Sequence, residues 1–408
     1  MDLNPGRPSG TCARVSNAVK AAHIATIDMS LRFLLLNQLR SLVRAGYDVT
    51  GISAPGEHTA AVEEAGIHYI PVPMTRRVTP LADLAALIQL YRVLRRERFT
   101  IVHTHTPKPA LLGQLAARAA GVPVIVNTLH GLTFRDDTPR HKRALLVLLE
   151  KACAKMSDFI LSQNPDDIET FVKEGIAPRE KLRFLGNGID VRRFDAARVP
   201  AEKLAQLRAE FGLQPGDKVV GFIGRLVVEK GILELISAME EVARDVPGAR
   251  LLVVGPSGGE KADAMSKDDL RFDPVRKITV FTGLRHDMPE MLSLMDVFVL
   301  PSHREGFPRS PMEAAAMGKP AIVTDITGCR ETVRDGVNGY LFPKGDAGAL
   351  AGRIKDVLLH PERARAFGEA GRRLAEERFD ERVVFKIVAD TYRELLEKKG
   401  LEAPIGMS

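Results

Sequence analysis

Short runs of β-branched and other apolar residues alternate along almost the whole chain with stretches of helical periodicity. No other feature constrains the fold as much. Strands that each lead into a helix build parallel sheets with helices on their faces. In the first half the strands read as 23–27, 47–53, 68–72, 101–105, 124–129, 159–162 and 182–185. Helices are expected near 32–45, 81–98, 109–120, 140–156 and 166–174. Leu81, Leu84, Leu87, Ile88, Tyr91 and Leu94 form the apolar stripe of the second of these helices. The pattern breaks from Asp190 to Pro200, which reads as a linker. A second set follows, with strands at 219–223, 250–254, 278–281, 296–300, 321–324 and 339–342. Its helices fall near 232–244, 288–294, 311–317 and 347–358, and two more, 361–377 and 382–398, finish the chain. The expected fold is α/β: two parallel-sheet domains, 21–195 and 196–381, with the last helix packing back on the first. Ligands of such sheets bind beyond the carboxyl ends of the strands. Two domains facing each other would therefore enclose a cleft.

A chain of 408 residues is long enough for two such domains. No run approaches 18 apolar residues, so no transmembrane helix is expected. Residues 1–20 lack an apolar stretch of the signal-peptide kind and read as a disordered tail. Cys12, Cys153 and Cys329 show neither a disulfide framework nor metal spacing, which fits a reducing cytoplasm. Residues 1–197 carry seven more basic than acidic side chains, whereas the remainder carries one more acid than base. The basic excess suits a solvated face, an anionic membrane surface or an anionic acceptor. No aromatic–basic interleaving points to nucleic acid.

The most informative stretch is Glu305-Gly306-Phe307-Pro308-Arg309-Ser310-Pro311-Met312-Glu313, which follows the apolar strand ending at Leu300. Ser310 stands where a helix N-cap belongs, Pro311 at the first helical position and Glu313 three residues after the cap. Glu313 thus has two readings, a capping-box carboxylate or an acceptor of ligand hydroxyls beside an anion-favouring helix end. A second signal is Gly221-Phe222-Ile223-Gly224-Arg225-Leu226-Val227-Val228-Glu229-Lys230-Gly231. A strand ends, glycines open the turn, and a guanidinium fork and an ammonium precede a helix. This suits either solvent or a diphosphate.

Together these motifs resemble the Glu-x7-Glu and Gly-Arg-x4-Lys-Gly signatures of bacterial family 4 retaining glycosyltransferases of the GT-B fold. The resemblance spans about residues 21–400 and is strongest from Val219 to Pro343. It implies two Rossmann-like domains and a metal-independent enzyme with no cofactor, using a nucleoside-diphosphate sugar, expected to be a UDP-sugar. It places Arg225 and Lys230 on the diphosphate, Glu305 at the donor sugar and Glu313 on the ribose. Gly224, Gly306, Phe307, Pro308, Ser310 and Leu284 complete the expected donor site. His130, followed by Gly131 at a strand end, resembles the cleft histidine near the reacting sugar. His105, Lys108 and Arg32 are expected on the acceptor side. Asn187-Gly188-Ile189-Asp190 resembles the turn that shapes the inter-domain hinge. The loop after the first strand, Thr26 to Arg32, departs from the family by lacking a Gly-Gly pair.

Thr324-Asp325-Ile326-Thr327-Gly328-Cys329-Arg330-Glu331 resembles members that extend lipid-linked oligosaccharides for surface polysaccharides. The implied acceptor is a polyprenyl-diphosphate-linked glycan, reached by peripheral attachment to the inner face of the cytoplasmic membrane. The rival readings are a nucleotide-sugar 2-epimerase of the same fold, a non-catalytic nucleotide-sugar-binding module and a membrane-surface scaffold. Residues 140–156 place Arg140, His141, Lys142 and Arg143 before six successive apolar residues. That is either a helix packed between sheet and neighbours or an interfacial membrane helix.

Overall fold

The computed structural model describes residues 18–134, 138–257 and 263–404. Most of the expected tail, with Cys12, and the sequence pairs Asp136-Asp137 and Gly258-Gly259 lie outside the described residues. Strands β1 (Lys20–Ile27), β2 (Asp48–Ala54), β3 (His68–Pro71), β4 (Ile101–His105), β5 (Val124–Leu129), β6 (Phe159–Ser162) and β7 (Leu182–Phe184) form one sheet in the order 3-2-1-4-5-6-7. A second sheet holds β8 (Lys218–Ile223), β9 (Ala249–Val254), β10 (Thr279–Gly283), β11 (Val297–Leu300), β12 (Ala321–Thr324) and β13 (Gly339–Phe342), in the order 10-9-8-11-12-13. Ladders such as β1–β4, β8–β11 and β11–β12 are parallel. Both orders repeat the doubly wound 3-2-1-4-5-6 arrangement, so each sheet has a switch point, at β1/β4 and at β8/β11.

The residue types explain the strands. β4, β5, β11 and β12 are buried along their whole length, as strands covered on both faces by helices must be. The chain packs as two compact units. One comprises the described parts of residues 1–128, 144–160 and 388–408, the other residues 129–143 and 161–387.

Among the described residues two α-helices escape the sequence reading. Thr59–Glu64 is too short for its period to register, and Ala201–Glu210, beside the presumed linker, buries only Leu207. The helix expected from residue 32 instead starts at Asp28 and includes a π-type turn over Leu31–Leu35. Asp28 organises the loop that lacks the Gly-Gly pair. It is buried and accepts hydrogen bonds from the backbone N–H of Met29 at 2.8 Å and of His58 at 2.7 Å.

The Arg140–Met156 helix buries only Cys153 and Ala154, while Leu145 and Leu148 are 56% and 63% exposed. The packed-helix alternative therefore fails for its first half. The Pro80–Glu97 helix is apolar on two sides. Ala86, Leu90, Val93 and Leu94 enter the core, whereas Leu81, Leu84, Ile88 and Tyr91 face outward. Among the described residues no helix is long and apolar enough to cross a membrane.

Candidate active site

The Arg225–Lys230 loop follows β8 and the Ser302–Glu313 segment follows β11, so both motifs leave the second sheet at its switch point. Gly231 shows how they are brought together. Its φ is +72°, and a Cβ there would lie 1.9 Å from the carbonyl oxygen of Pro301, so only glycine lets the two loops touch. The backbone N–H of His303 donates to the Glu229 carbonyl at 2.9 Å. Lys230 Nζ then reaches Glu305 Oε1 at 2.5 Å, and Ser302 Oγ donates to the same oxygen at 2.6 Å. Arg225 is exposed at the end of β8. Leu284, after β10, is a 67% exposed apolar side chain.

The helix after Pro308 spans Arg309–Ala316 and has no side-chain cap. Ser310 is therefore not the N-cap: the helix begins two residues earlier than its sequence suggests, and the expected capping box does not form. Glu313 sits inside the helix, where burial raises its carboxyl pKa, opposed by the charges of Arg309 and Arg193. The ring of Phe307 is buried and meets Phe379 edge-on at 6.3 Å, and Pro308 is buried too.

His130 leaves β5, and its imidazole pKa is pushed down to about 4 by burial, a hydrogen bond to Gln163 offsetting part of that. It is neutral at physiological pH. Its loop stacks on the Glu305 turn backbone to backbone. A Cβ on Gly306 would lie 2.6 Å from the His130 carbonyl oxygen, and one on Gly328 2.2 Å from the Gly306 oxygen. Asn164 donates to the Gly306 carbonyl at 3.2 Å and Asn187 to that of Phe307 at 2.8 Å. Asn187, expected only to shape a hinge, thus also holds the Glu305 turn. Asn164, Gln163 and Ser302 escaped the sequence reading. The Ser-Gln-Asn-Pro run at the end of β6 was the one available signal.

These loops surround a cavity of about 510 Å³ in the second unit. His130, Gly131, Glu305 and Gly306 line it together with Asn164 and Asp166. Further lining comes from Arg304, Asp325, Thr327, Arg330 and Lys344.

The residues expected on the acceptor side fare differently. His105 is 1% exposed, and its Nε2 lies 3.0 Å from His23 Nδ1, so the expectation that it meets substrate is corrected. Lys108 binds Asp83 at 2.5 Å and also donates to Thr75 Oγ1, fastening the loop before the Pro80–Glu97 helix. Arg32 is partly exposed and rests over Phe33. Nearby, Thr106 has φ +71° and ψ 153°, a region rarely open to a β-branched residue, and shares a 2.8 Å hydrogen bond with Thr26.

His23, His103 and His105 are the one group of side chains among the described residues that could converge on a metal. Both ring nitrogens of His103 are engaged, by Tyr392 and by Thr128 at 2.7 Å each, and its ring stacks on His105 at 4.2 Å. Tyr392 also reaches His23 at 3.1 Å. Burial lowers the His23 pKa to about 3. This is a hydrogen-bond chain that ties the Glu381–Lys398 helix to β1, β4 and β5, with both nitrogens of His103 engaged.

Two protein-family models match the chain: "Glycosyl transferases group 1" over residues 205–374 and "Glycosyl transferase 4-like domain" over residues 34–188. The chain is 28% identical over 339 residues to the UDP-Gal:alpha-D-GlcNAc-diphosphoundecaprenol alpha-1,3-galactosyltransferase of Escherichia coli, covering 80% of this chain and 85% of that one. It is 27% identical over 383 residues to the capsular polysaccharide biosynthesis glycosyltransferase CapM of Staphylococcus aureus, covering 93% and 98%. Among solved structures, Anabaena HepE in complex with UDP superposes with a TM-score of 0.78 at 20% identity, covering 92% of this chain and all of that one.

Proposed function

We propose that this chain, which has the GT-B fold and matches two glycosyltransferase family models, transfers a hexosyl or N-acetylhexosaminyl group from a UDP-sugar to a polyprenyl-diphosphate-linked glycan, with retention of configuration. The observation that carries this reading is the meeting of Lys230 and Glu305 at the switch point of the second sheet, just before the helix that holds the partly buried Glu313. An ammonium beside a carboxylate can hold a diphosphate and a sugar hydroxyl at adjacent points.

In this scheme Arg225 and Lys230 stabilise charge as it grows on the leaving diphosphate. The bond between the anomeric carbon and the β-phosphate oxygen breaks, and its electron pair stays on that oxygen. The acceptor hydroxyl forms the new bond on the same face and gives its proton to the departing phosphate. Glu305 orients the sugar hydroxyls, and neutral His130 offers a hydrogen bond at the reacting sugar. Glu313 accepts from the ribose hydroxyls.

The galactosyltransferase relative, whose acceptor is a diphosphoundecaprenol-linked sugar, and the capsular relative support the acceptor class. Such an acceptor keeps its lipid in the bilayer. The exposed Leu145 and Leu148 with Arg140 and Lys142 are suited to an anionic membrane surface on the cytoplasmic side.

The test is incubation with a panel of radiolabelled UDP- and GDP-sugars, with and without N-acetylglucosaminyl-diphosphoundecaprenol in detergent. Label moving into the lipid fraction only with acceptor is the expected result. Free UDP with an epimerised sugar, formed without acceptor, would mean the 2-epimerase reading.

A further inference from the structure

We propose that the wall of the 510 Å³ cavity formed by Asp166, Asp325, Thr327, Arg330 and Lys344 is a subsite for an uncharged sugar ring of the acceptor rather than for its diphosphate. This rests on the transferase reading above. The same cavity contains Glu305 and His130, so an occupant of this wall lies beside the place where the transferred sugar is set.

Charge decides the ligand class. Four cationic side chains line the cavity, Arg143, Arg304, Arg330 and Lys344, against four carboxylates, Asp166, Asp167, Glu305 and Asp325. The formal sum is zero without the two imidazoles of the lining: burial keeps His130 neutral, and His303 is engaged by Glu234 at 2.7 Å. A diphosphate here would face as many carboxylates as cations. Much of the cationic charge is already answered. Arg330 Nε donates to Asp325 at 2.5 Å, and Arg143 donates to Glu174 at 2.7 Å. The Arg225–Lys230 loop differs from this wall in its exposed Arg225, which leaves a guanidinium at the strand end beside the Lys230–Glu305 pair.

Paired guanidinium and carboxylate groups are well matched to sugar hydroxyls. Each hydroxyl both donates and accepts, and each pair offers an acceptor and spare N–H donors side by side. Arg330 keeps its terminal amino groups as donors after Nε is used by Asp325. Thr327 Oγ1 donates to Asp166 Oδ2 at 3.3 Å, which links the segments after β12 and β6 into one wall. The volume lies within the range of small-molecule sites, about 300–1,000 Å³, and admits a sugar ring with room beside it.

The test uses saturation-transfer NMR on the full chain saturated with UDP. The probes are the methyl α-glycosides of N-acetylglucosamine, galactose and glucose, with inorganic pyrophosphate as the anionic probe. At least one glycoside should give signals, reduced severalfold in Arg330→Gln and Thr327→Val and restored in Thr327→Ser. UDP affinity by calorimetry should stay within twofold in all three variants. Three results would overturn the proposal: UDP binding with no glycoside signal, glycoside signals indifferent to both substitutions, or displacement of the glycoside by pyrophosphate in an Arg330-dependent way. A wild-type chain that fails to bind UDP would sink the donor reading itself, and this one with it.

Discussion

Glu313 has a different environment from the one its local sequence suggests. Ser-x-x-Glu spells a capping box, yet the helix starts at Arg309 and the carboxyl lies inside it, with its pKa raised by burial. A group whose folded pKa is raised stabilises the fold below its unfolded pKa, and that contribution is lost as pH rises through the folded value. At neutral pH the ionised carboxylate is therefore a cost to folding. Glu313→Gln should melt no lower than wild type at pH 8 while binding UDP more weakly, whereas a capping role requires a lower melting temperature with binding intact. Arg225→Ala and Lys230→Ala should each weaken UDP binding about ten- to a hundred-fold, from loss of a charge-assisted hydrogen bond. Unchanged calorimetric affinity in both would move the diphosphate elsewhere. His130 has the opposite sign to Glu313. Its folded pKa of about 4 lies below the ordinary 6.5, so the stability it contributes is present above 6.5 and is lost as pH falls toward 4. The thermal midpoint should fall less steeply between pH 6.5 and 4.5 in His130→Asn than in wild type. Equal slopes would mean an imidazole that charges as freely in the folded protein as in the unfolded chain.

Individual elements were legible where the residues carry a strong period. β4, β5, β6, β12 and β13 match their sequence bounds, as does the Arg140–Met156 helix. Sequence could not show which face of a doubly apolar helix is buried. Periodicity grouped Leu81, Leu84, Ile88 and Tyr91 with Leu94, but only Leu94 of these enters the core. Nor could it show Asp28 holding its loop, since that depends on the backbone of His58, 30 residues away. The motifs after β8 and β11 were readable because each is short and contiguous. Asn164 and Asn187 were not, because each acts on a loop more than a hundred residues away. The exposed start of the Arg140–Met156 helix gives a test. Arg143 is held by Glu174 and is best left alone, so Arg140→Ser with Lys142→Ser is the informative pair. At roughly 1 kcal/mol per cation near an anionic surface, binding to anionic liposomes should fall markedly and become less sensitive to salt. Binding unmoved by the pair and by salt would remove this helix as an anchor. On the last helix, Tyr392→Phe takes a hydroxyl from both His103 and His23. It should cost about 1–3 kcal/mol in chemical unfolding, the penalty of buried polar groups left unpaired, with UDP affinity unchanged.

At the scale of the whole molecule, two sheets of the same doubly wound order divide the work. The second sheet brings the Arg225–Lys230 and Glu305 loops together at its β8/β11 switch point, where the proposed reaction needs its donor. The first carries most of the basic excess and the exposed apolar helix faces that suit a lipid-borne acceptor. The claim that joins them is transfer from a UDP-sugar to a lipid-linked glycan. Its most direct test follows radiolabelled UDP-galactose and UDP-N-acetylglucosamine into N-acetylglucosaminyl-diphosphoundecaprenol, comparing wild type with Glu305→Gln and assigning the anomeric configuration of the product by NMR. The account predicts an α-linked, acceptor-dependent lipid product in the wild type, and in Glu305→Gln a large loss of turnover with UDP affinity kept. A β-linked product, or full turnover in Glu305→Gln, would contradict it.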